Sequence, residues 1–171
     1  DSATDKDIQP KSALRFAFPR KKSRPMVNPM FDLSGQVGLV TGSTKGIGKS
    51  IAKELARAGA KVVISSRKPD ACEAVLAEFR QEGLTAIAKP CNVSHKDELR
   101  SLVDFTLAAW GRIDIAVSNA AVNPYYGPLS GLSDEVFDKT MNANVKSNLW
   151  LANLVLPGMA ERGGGSMIMV G

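Results

Sequence analysis

The sequence predicts an α/β chain built on a doubly wound parallel sheet. Three observations carry this. Short apolar, β-branched runs alternate with segments of helical period, in the order βαβαβαβαβ. The helical segments are ten residues or longer, long enough to act as right-handed crossovers between parallel strands. The first run ends in a glycine-rich turn that opens the first helix.

Each element has its own signal. Val37 to Val40 is a short apolar run of the kind a strand buried on both faces shows. Ile47 to Ala58 carries Ile47, Ile51 and Leu55 at helical spacing, and Gly59 stops it. Val62, Val63 and Ile64 form a second strand. Pro69 starts a helix through Asp70 to Glu82, ended by Gly83. Leu84 to Ala88 is a third strand, and Ser94 caps a helix to about Trp110 with Asp97 and Glu98 in its first turn. Ile113 to Val117 is a fourth strand. Ser133 caps one long helical stretch to about Arg162, in which mid-helix Asn144 marks a kink. Three glycines, 163–165, end it, and Met167 to Val170 is a fifth strand.

Composition sets outer bounds. The chain has 171 residues, 44% hydrophobic and 23% charged, which fits one globular domain and excludes a collagen-like or disulfide-rich chain. Its longest apolar stretch, about Leu149 to Leu156, is far short of a membrane span. The net charge of +5 is uneven: residues 1–30 carry +4 and residues 31–171 only +1. The first thirty residues, broken by Pro10, Pro19, Pro25 and Pro29, read as a basic disordered or vector-derived tail. Met26 and Met30, immediately before residues 31–171, are alternative starts. A nucleic-acid reading wants a basic face on the folded body, and the body lacks the excess charge. Cys72 and Cys91 lie nineteen apart without a metal-ligand pattern and read as reduced thiols. With no apolar secretory core at the N-terminus, the expected location is the cytoplasm; the peroxisome stays open because its address would lie past Gly171.

The turn Thr41-Gly42-Ser43-Thr44-Lys45-Gly46-Ile47-Gly48 joins the first strand to the first helix. Its glycines suit a tight turn, a close approach to a pyrophosphate and close helix packing, and the helix N-terminus offers free N–H groups to phosphate. The pattern Thr-Gly-x-x-x-Gly-Ile-Gly resembles the short-chain dehydrogenase/reductase family. Ser118-Asn119-Ala120-Ala121 resembles that family's Asn-Asn-Ala-Gly motif, and Asn144-Val145-Lys146 its Asn-Val-x segment. The resemblance covers residues 31–171, about the first three-fifths of a typical member, and so implies a partial domain whose sheet is truncated after its fifth strand. The stretch from Ser118 to Gly127 is further similar to the NADP-dependent retinol and carbonyl reductases. The resemblance implies a Rossmann-like domain that binds a nicotinamide dinucleotide.

Charge at the second strand indicates which one. An NAD site wants a carboxylate there for the ribose 2′-hydroxyl. This chain has Ser66, Arg67 and Lys68, with Lys45 in the glycine-rich turn. Cations attract a 2′-phosphate, and Arg binds it through two hydrogen bonds. NADP(H) is therefore the expected cofactor. The resemblance places Asn92 and Val93 beside its adenine, although the family usually has Asp where Asn92 stands. Asn119, Ala120 and Ala121 line the site, with Ala121 in the place of the usual Gly and Ser118 in that of the first Asn.

The resemblance implies chemistry by four side chains: a Tyr that moves the substrate proton, a Lys four residues later, a Ser that orients the substrate oxygen, and an Asn that holds a water. Only the last has a counterpart, Asn144, with Asn142 and Asn148 close by. Tyr125 and Tyr126 have no Lys four on; Leu129 and Ser130 stand there, and both tyrosines read as loop aromatics. His95 reads as solvated. The expected function is an oxidoreductase using NADP(H) on a small carbonyl or alcohol substrate, a homo-oligomer when complete. A non-catalytic NADP-binding or interaction fragment is the alternative. By itself the segment is expected to fold poorly or associate, because its fifth strand would be an open apolar edge.

Overall fold

The computed structural model describes residues 29–171, so the basic tail, apart from Pro29 and Met30, lies outside the described residues. Five parallel strands form one sheet: β1 (Val37–Thr41), β2 (Lys61–Ser65), β3 (Ala86–Ala88), β4 (Ile115–Ser118) and β5 (Ser166–Met169). Their order is β3-β2-β1-β4-β5. The chain winds outward from β1 through β2 to β3, then returns to place β4 on the other side of β1. That reversal opens a crevice at the carboxyl ends of β1 and β4, where open α/β sheets hold their ligands.

The pleat sorts the core into two layers. On one face Leu39, Val63 and Ala116 meet Leu99, Leu102 and Val103 of α3 (Lys96–Trp110) and Leu151, Val155 and Met159 of α5 (Ser147–Glu161). On the other, Val40, Val62, Ile64 and Val117 meet Ala52 and Ala56 of α1 (Gly46–Arg57) and Val75, Leu76 and Phe79 of α2 (Pro69–Gln81). Helices thus cover both faces, as the sequence predicts.

Several details differ from the sequence-based expectation. α1 does not bury Ile47, Ile51 and Leu55 as its main stripe; Gly48, Ala52 and Ala56 are buried, and Ile47 is 65% exposed. Small residues let this helix lie close to the sheet, and the larger ones flank the contact. Ser94 does not cap α3. His95 holds that position, and the turn is built by Asn92, whose Oδ1 accepts from the Ser94 N–H while its carbonyl accepts from the His95 N–H. The third and fourth strands begin two residues late, at Ala86 and Ile115, because Leu84 is still bonded to the end of α2 and Ile113 belongs to the lead-in.

The long helical stretch is three pieces: α4 (Asp134–Met141), a π turn over Asn142–Lys146, and α5. Ser133 does cap it, accepting from the Val136 N–H. The kink expected at Asn144 is this π turn. β5 pairs with β4 alone among the described strands, leaving Ile168 and Met169 about half exposed. Phe137, Met141, Val145, Leu149 and Leu156 are also exposed, from α4 through the π turn into α5. No described helix is long and apolar enough to cross a membrane.

Candidate functional site

The crevice is closed at its base by polar stitches between β1 and β4. The Thr41 hydroxyl accepts from the Asn119 and Ala120 N–H groups at 3.0 and 3.1 Å. The Asn119 side-chain N–H₂ donates to the Thr41 and Gly42 carbonyls at 3.0 and 3.2 Å. Gly48 packs directly beneath: a Cβ there would run into the Asn119 amide nitrogen and the Gly42 carbonyl. Asn119 and Gly48 therefore fix how the glycine-rich turn sits on the sheet, and Asn119 reaches the site as a frame residue.

The turn itself faces outward. Gly46 has φ +53°, and a Cβ on it would meet nothing within 4 Å, so its backbone borders open space. The N-terminus of α1 has no side-chain cap and no acid in its first turn. Its N–H groups and positive dipole end thus stand unopposed, as an anion site requires. Lys45 and Ile47 are exposed beside it and Thr44 is half-buried. These residues fit a dinucleotide pyrophosphate. Ser43 departs from the expectation. Its side chain is fully buried, donating to the Val40 carbonyl at 2.8 Å and accepting from the Ser65 N–H at 2.8 Å, so it ties β1 to β2.

At the end of β2, Arg67 and Lys68 are exposed, and Ser66 is half-buried. The Ser66 hydroxyl accepts from the Lys68 N–H at 3.3 Å and lies 3.4 Å from Cys72 Sγ, which shapes the turn carrying the two cations. Lys45, Arg67 and Lys68 form no ion pair with any described residue. By contrast Lys49, Lys53 and Arg57, further along α1, are bound to Glu78, Glu82 and Glu54.

Asn92 is less available than its type suggests, since its Oδ1 is engaged by Ser94. Its own N–H donates to Glu98 Oε2 at 2.7 Å. That bond, and then His95 Nδ1 at 2.8 Å from the other oxygen, hold the Glu98 carboxyl below its ordinary range. No described residue accepts from the Asn92 side-chain N–H₂. Val93 belongs to the core and offers only its backbone. Neighbouring Cys91 is 2% exposed, and burial pushes its thiol up to about 12, so it stays a neutral thiol at physiological pH.

The far end of the crevice is a chain of amides. Asn144 bonds Val122 twice: Oδ1 accepts the Val122 N–H and Nδ2 donates to the Val122 carbonyl, each at 2.8 Å. Its main-chain carbonyl accepts from Asn148 Nδ2 at 2.9 Å. Ser118 Oγ donates to Asn148 Oδ1. Asn142 Nδ2 donates to the Ser94 carbonyl at 3.1 Å. Ala121 is exposed, next to this network. Sequence reasoning assigns no role to Thr41, Val122 or Asn148. Asn148 has a legible signal, since it lies four residues after Asn144 and so on the same helical face. Tyr125 donates to the Pro128 carbonyl at 2.9 Å within the loop after β4, and Tyr126 is 86% exposed.

Strand order, crevice, glycine-rich turn and uncapped helix define a Rossmann-type dinucleotide-binding domain. The chain belongs to the short chain dehydrogenase family, whose pattern matches residues 36–171. It is 44% identical over 138 residues to dehydrogenase/reductase SDR family member 4 of Homo sapiens, covering 81% of this chain and 50% of that protein. The protein of the same description from Caenorhabditis elegans is 40% identical over 135 residues, covering 78% and 52%. The chain spans about half the length of the curated relatives it matches. A metagenomic short-chain oxidoreductase solved in complex with NADP superimposes with a TM-score of 0.77 at 36% identity, over 81% of this chain and 62% of that one. A 7 alpha-hydroxysteroid dehydrogenase solved with NADH and 7-oxo glycochenodeoxycholic acid gives the same TM-score and identity, over 82% and 54%. Solved neighbours thus carry either nicotinamide dinucleotide.

Proposed function

We propose that this chain is the cofactor-binding part of an NADP(H)-dependent oxidoreductase that interconverts a small carbonyl compound and its alcohol. The observation that carries the choice of NADP(H) is a set of three cations, Lys45, Arg67 and Lys68, which form no ion pair with any described residue, around a β2 end with no carboxylate at residues 65–68. A fixed carboxylate would repel a 2′-phosphate, while free cations attract it with no ion pair to break.

In this reading Gly42, Thr44, Gly46 and Ile47 present backbone to the pyrophosphate at the N-terminus of α1. Gly48 and the buried Ser43 hold the turn in shape. Arg67, Lys68 and Lys45 take the 2′-phosphate, and Ser66 sets the turn between them. Asn92 and the Val93 backbone border the adenine. Asn119, Ala120 and Ala121 line the approach to the reaction end, where Asn144 stands. The bound nicotinamide supplies or accepts hydride; this chain binds and orients. We further infer a homo-oligomer when complete and a cytoplasmic location, with the peroxisome as the alternative. The two buried free thiols support a reducing compartment.

A second reading holds for these 171 residues taken alone: they bind the dinucleotide without turning a substrate over. It is favoured by the absence from the sequence of any Tyr with a Lys four residues on. Fluorescence titration with NADPH and NADH tests the cofactor assignment. Lys45→Ala combined with Arg67→Asp is expected to weaken NADPH about 100-fold, two charge-assisted contacts' worth, and NADH by less than about threefold. Equal losses would mean that these cations do not read the phosphate. Steady NADPH oxidation by the 171-residue chain with an added aldehyde would overturn the second reading.

A further inference from the structure

We propose that Asn148 is a positioning residue for the reaction, setting the main-chain oxygen of Asn144 and the loop at Val122 in one alignment with the end of β4. This deepens the reading of Asn144 given above and rests on it.

The bonds form one directed path. The Ser118 hydroxyl donates to Asn148 Oδ1, Asn148 Nδ2 donates to the Asn144 carbonyl, and the Asn144 amide closes a two-way pair with Val122. Ser118 is 4% exposed at the last position of β4, so its hydroxyl is held where solvent does not compete. The path crosses the π turn, where the Ser147 N–H reaches back five residues to the Asn142 carbonyl. Such turns displace carbonyls from the ordinary helical ladder and collect at functional sites. Here Asn148 spans four residues with its side chain to reach one of those carbonyls.

The Asn144 side-chain amide bonds Val122 through both its oxygen and its nitrogen, which ties Asn144 to the loop after β4. Its main-chain oxygen accepts from Asn148 Nδ2, and Asn148 Oδ1 accepts from Ser118 at the end of β4. Asn148 thus fixes how the Asn144 main chain sits relative to that strand end. Asn148 touches neither the crevice-facing turn nor the cations, so its effect passes through Asn144.

The test compares Asn148→Asp with Asn148→Ser in the full-length protein. Asp keeps the acceptor for Ser118 but loses the N–H donor and sets a carboxylate against the Asn144 carbonyl. Ser restores a donor at this spacing, as neighbouring Ser147 shows by donating to the Ala143 carbonyl four residues back at 2.6 Å. With NADPH and 4-nitrobenzaldehyde as probe, Asn148→Asp should lower kcat on the order of tenfold to a hundredfold, the scale of a misplaced site group. The KM for NADPH should stay within about twofold, and Asn148→Ser should recover kcat to within about threefold of wild type.

Hydrogen exchange gives a readout that needs no turnover. In Asn148→Asp the Val122 amide should exchange at least about fivefold faster while the Leu39 and Val63 amides keep their protection. Unchanged Val122 protection, or an equal loss at Leu39 and Val63, would overturn the proposal. So would a fall in kcat that Asn148→Ser does not recover. Asn144→Ala separates the two levels. If it abolishes turnover while Asn148→Asp does not, this inference alone fails; if it leaves turnover intact, the reading of Asn144 fails and this one with it.

Discussion

Around the ends of β1 and β2 the crevice leaves its polar groups open, whereas around the end of β4 and the π turn it has used nearly all of them. In the first region α1 begins without a side-chain cap, Gly46 borders open space, and Lys45, Arg67 and Lys68 form no ion pair with any described residue. In the second, Thr41, Asn119, Asn142, Asn144 and Asn148 bond to one another or to main chain. Open donors and cations cost little at a solvated surface and are ready for an anion. Buried amides left unpaired would cost a kilocalorie or more each, about 1–3 kcal/mol, so there the chain satisfies its own groups. One region presents uncompensated positive charge, the other holds a shape.

The largest expected effect comes where the two regions meet. Gly48→Ala puts a methyl group against both the Asn119 amide and the Gly42 carbonyl. Neither is the loose end of a flexible chain, since Asn119 is bonded to Thr41 and Gly42. The substitution should cost about 3 kcal/mol and lower Tm by roughly 10 °C, read by thermal denaturation. A loss under about 1 kcal/mol would mean that Asn119 swings aside freely and that the frame is softer than its bonds suggest.

Asp114 offers an internal control at the opposite end of the strands. Its carboxylate is buried, accepts the Val37 N–H at 2.9 Å and is paired with Arg112 at 2.7 Å. Burial alone would raise its pKa, but the Arg112 hydrogen bonds and the Val37 N–H outweigh that and hold it below the ordinary 3.8. The folded state therefore binds its proton less readily than the unfolded state. The stabilisation is complete above the unfolded value and is lost as pH falls through the lower folded one. Asp114→Asn should cost about 1–2 kcal/mol at neutral pH, shrinking to nothing in acid below the folded pKa, in denaturant titrations at several pH values. NADPH affinity should not change, because no part of this cluster lies at the crevice.

Legibility in the sequence follows the same division. The open region is legible: the glycine spacing, the cations after β2 and the alternation of strands with helices are local features of the chain. Ser43 is the exception, because a serine in a glycine-rich turn gives no sign that β2 will claim its hydroxyl. The closed region is mostly hidden. Asn144 and Val122 are 22 residues apart and Ser118 and Asn148 are 30 apart, so no periodicity announces their pairing. The kink at Asn144 shows only as an unfavourable residue in mid-helix. The buried stripe of α1 escapes sequence reasoning for a different reason. Hydrophobic period favours the larger side chains, while the sheet selects the smallest ones, Gly48, Ala52 and Ala56, for close approach.

The smallest expected effect sharpens what separates a free cation from an engaged one. Lys53 bonds both Glu78 at 3.1 Å and Glu82 at 2.6 Å, joining α1 to α2 in a lattice that also includes Lys49 and Arg57. Hydrogen bonds to Glu82 and then Glu78 raise the Lys53 pKa, so it stays charged across the neutral range. All of these groups are partly exposed, and such pairs contribute little and are screened by salt. Lys53→Ala should therefore give a small fall in Tm at low ionic strength that disappears in about 1 M salt, where screening acts within roughly 3 Å. NADPH affinity should stay within about twofold of wild type, the margin of a distant screened charge. Lys45→Ala should do the reverse, leaving Tm in place and weakening NADPH. If Lys53→Ala weakened NADPH as much as Lys45→Ala does, the cofactor would be responding to the summed charge of α1. The distinction between open and engaged cations would then have no bearing on recognition.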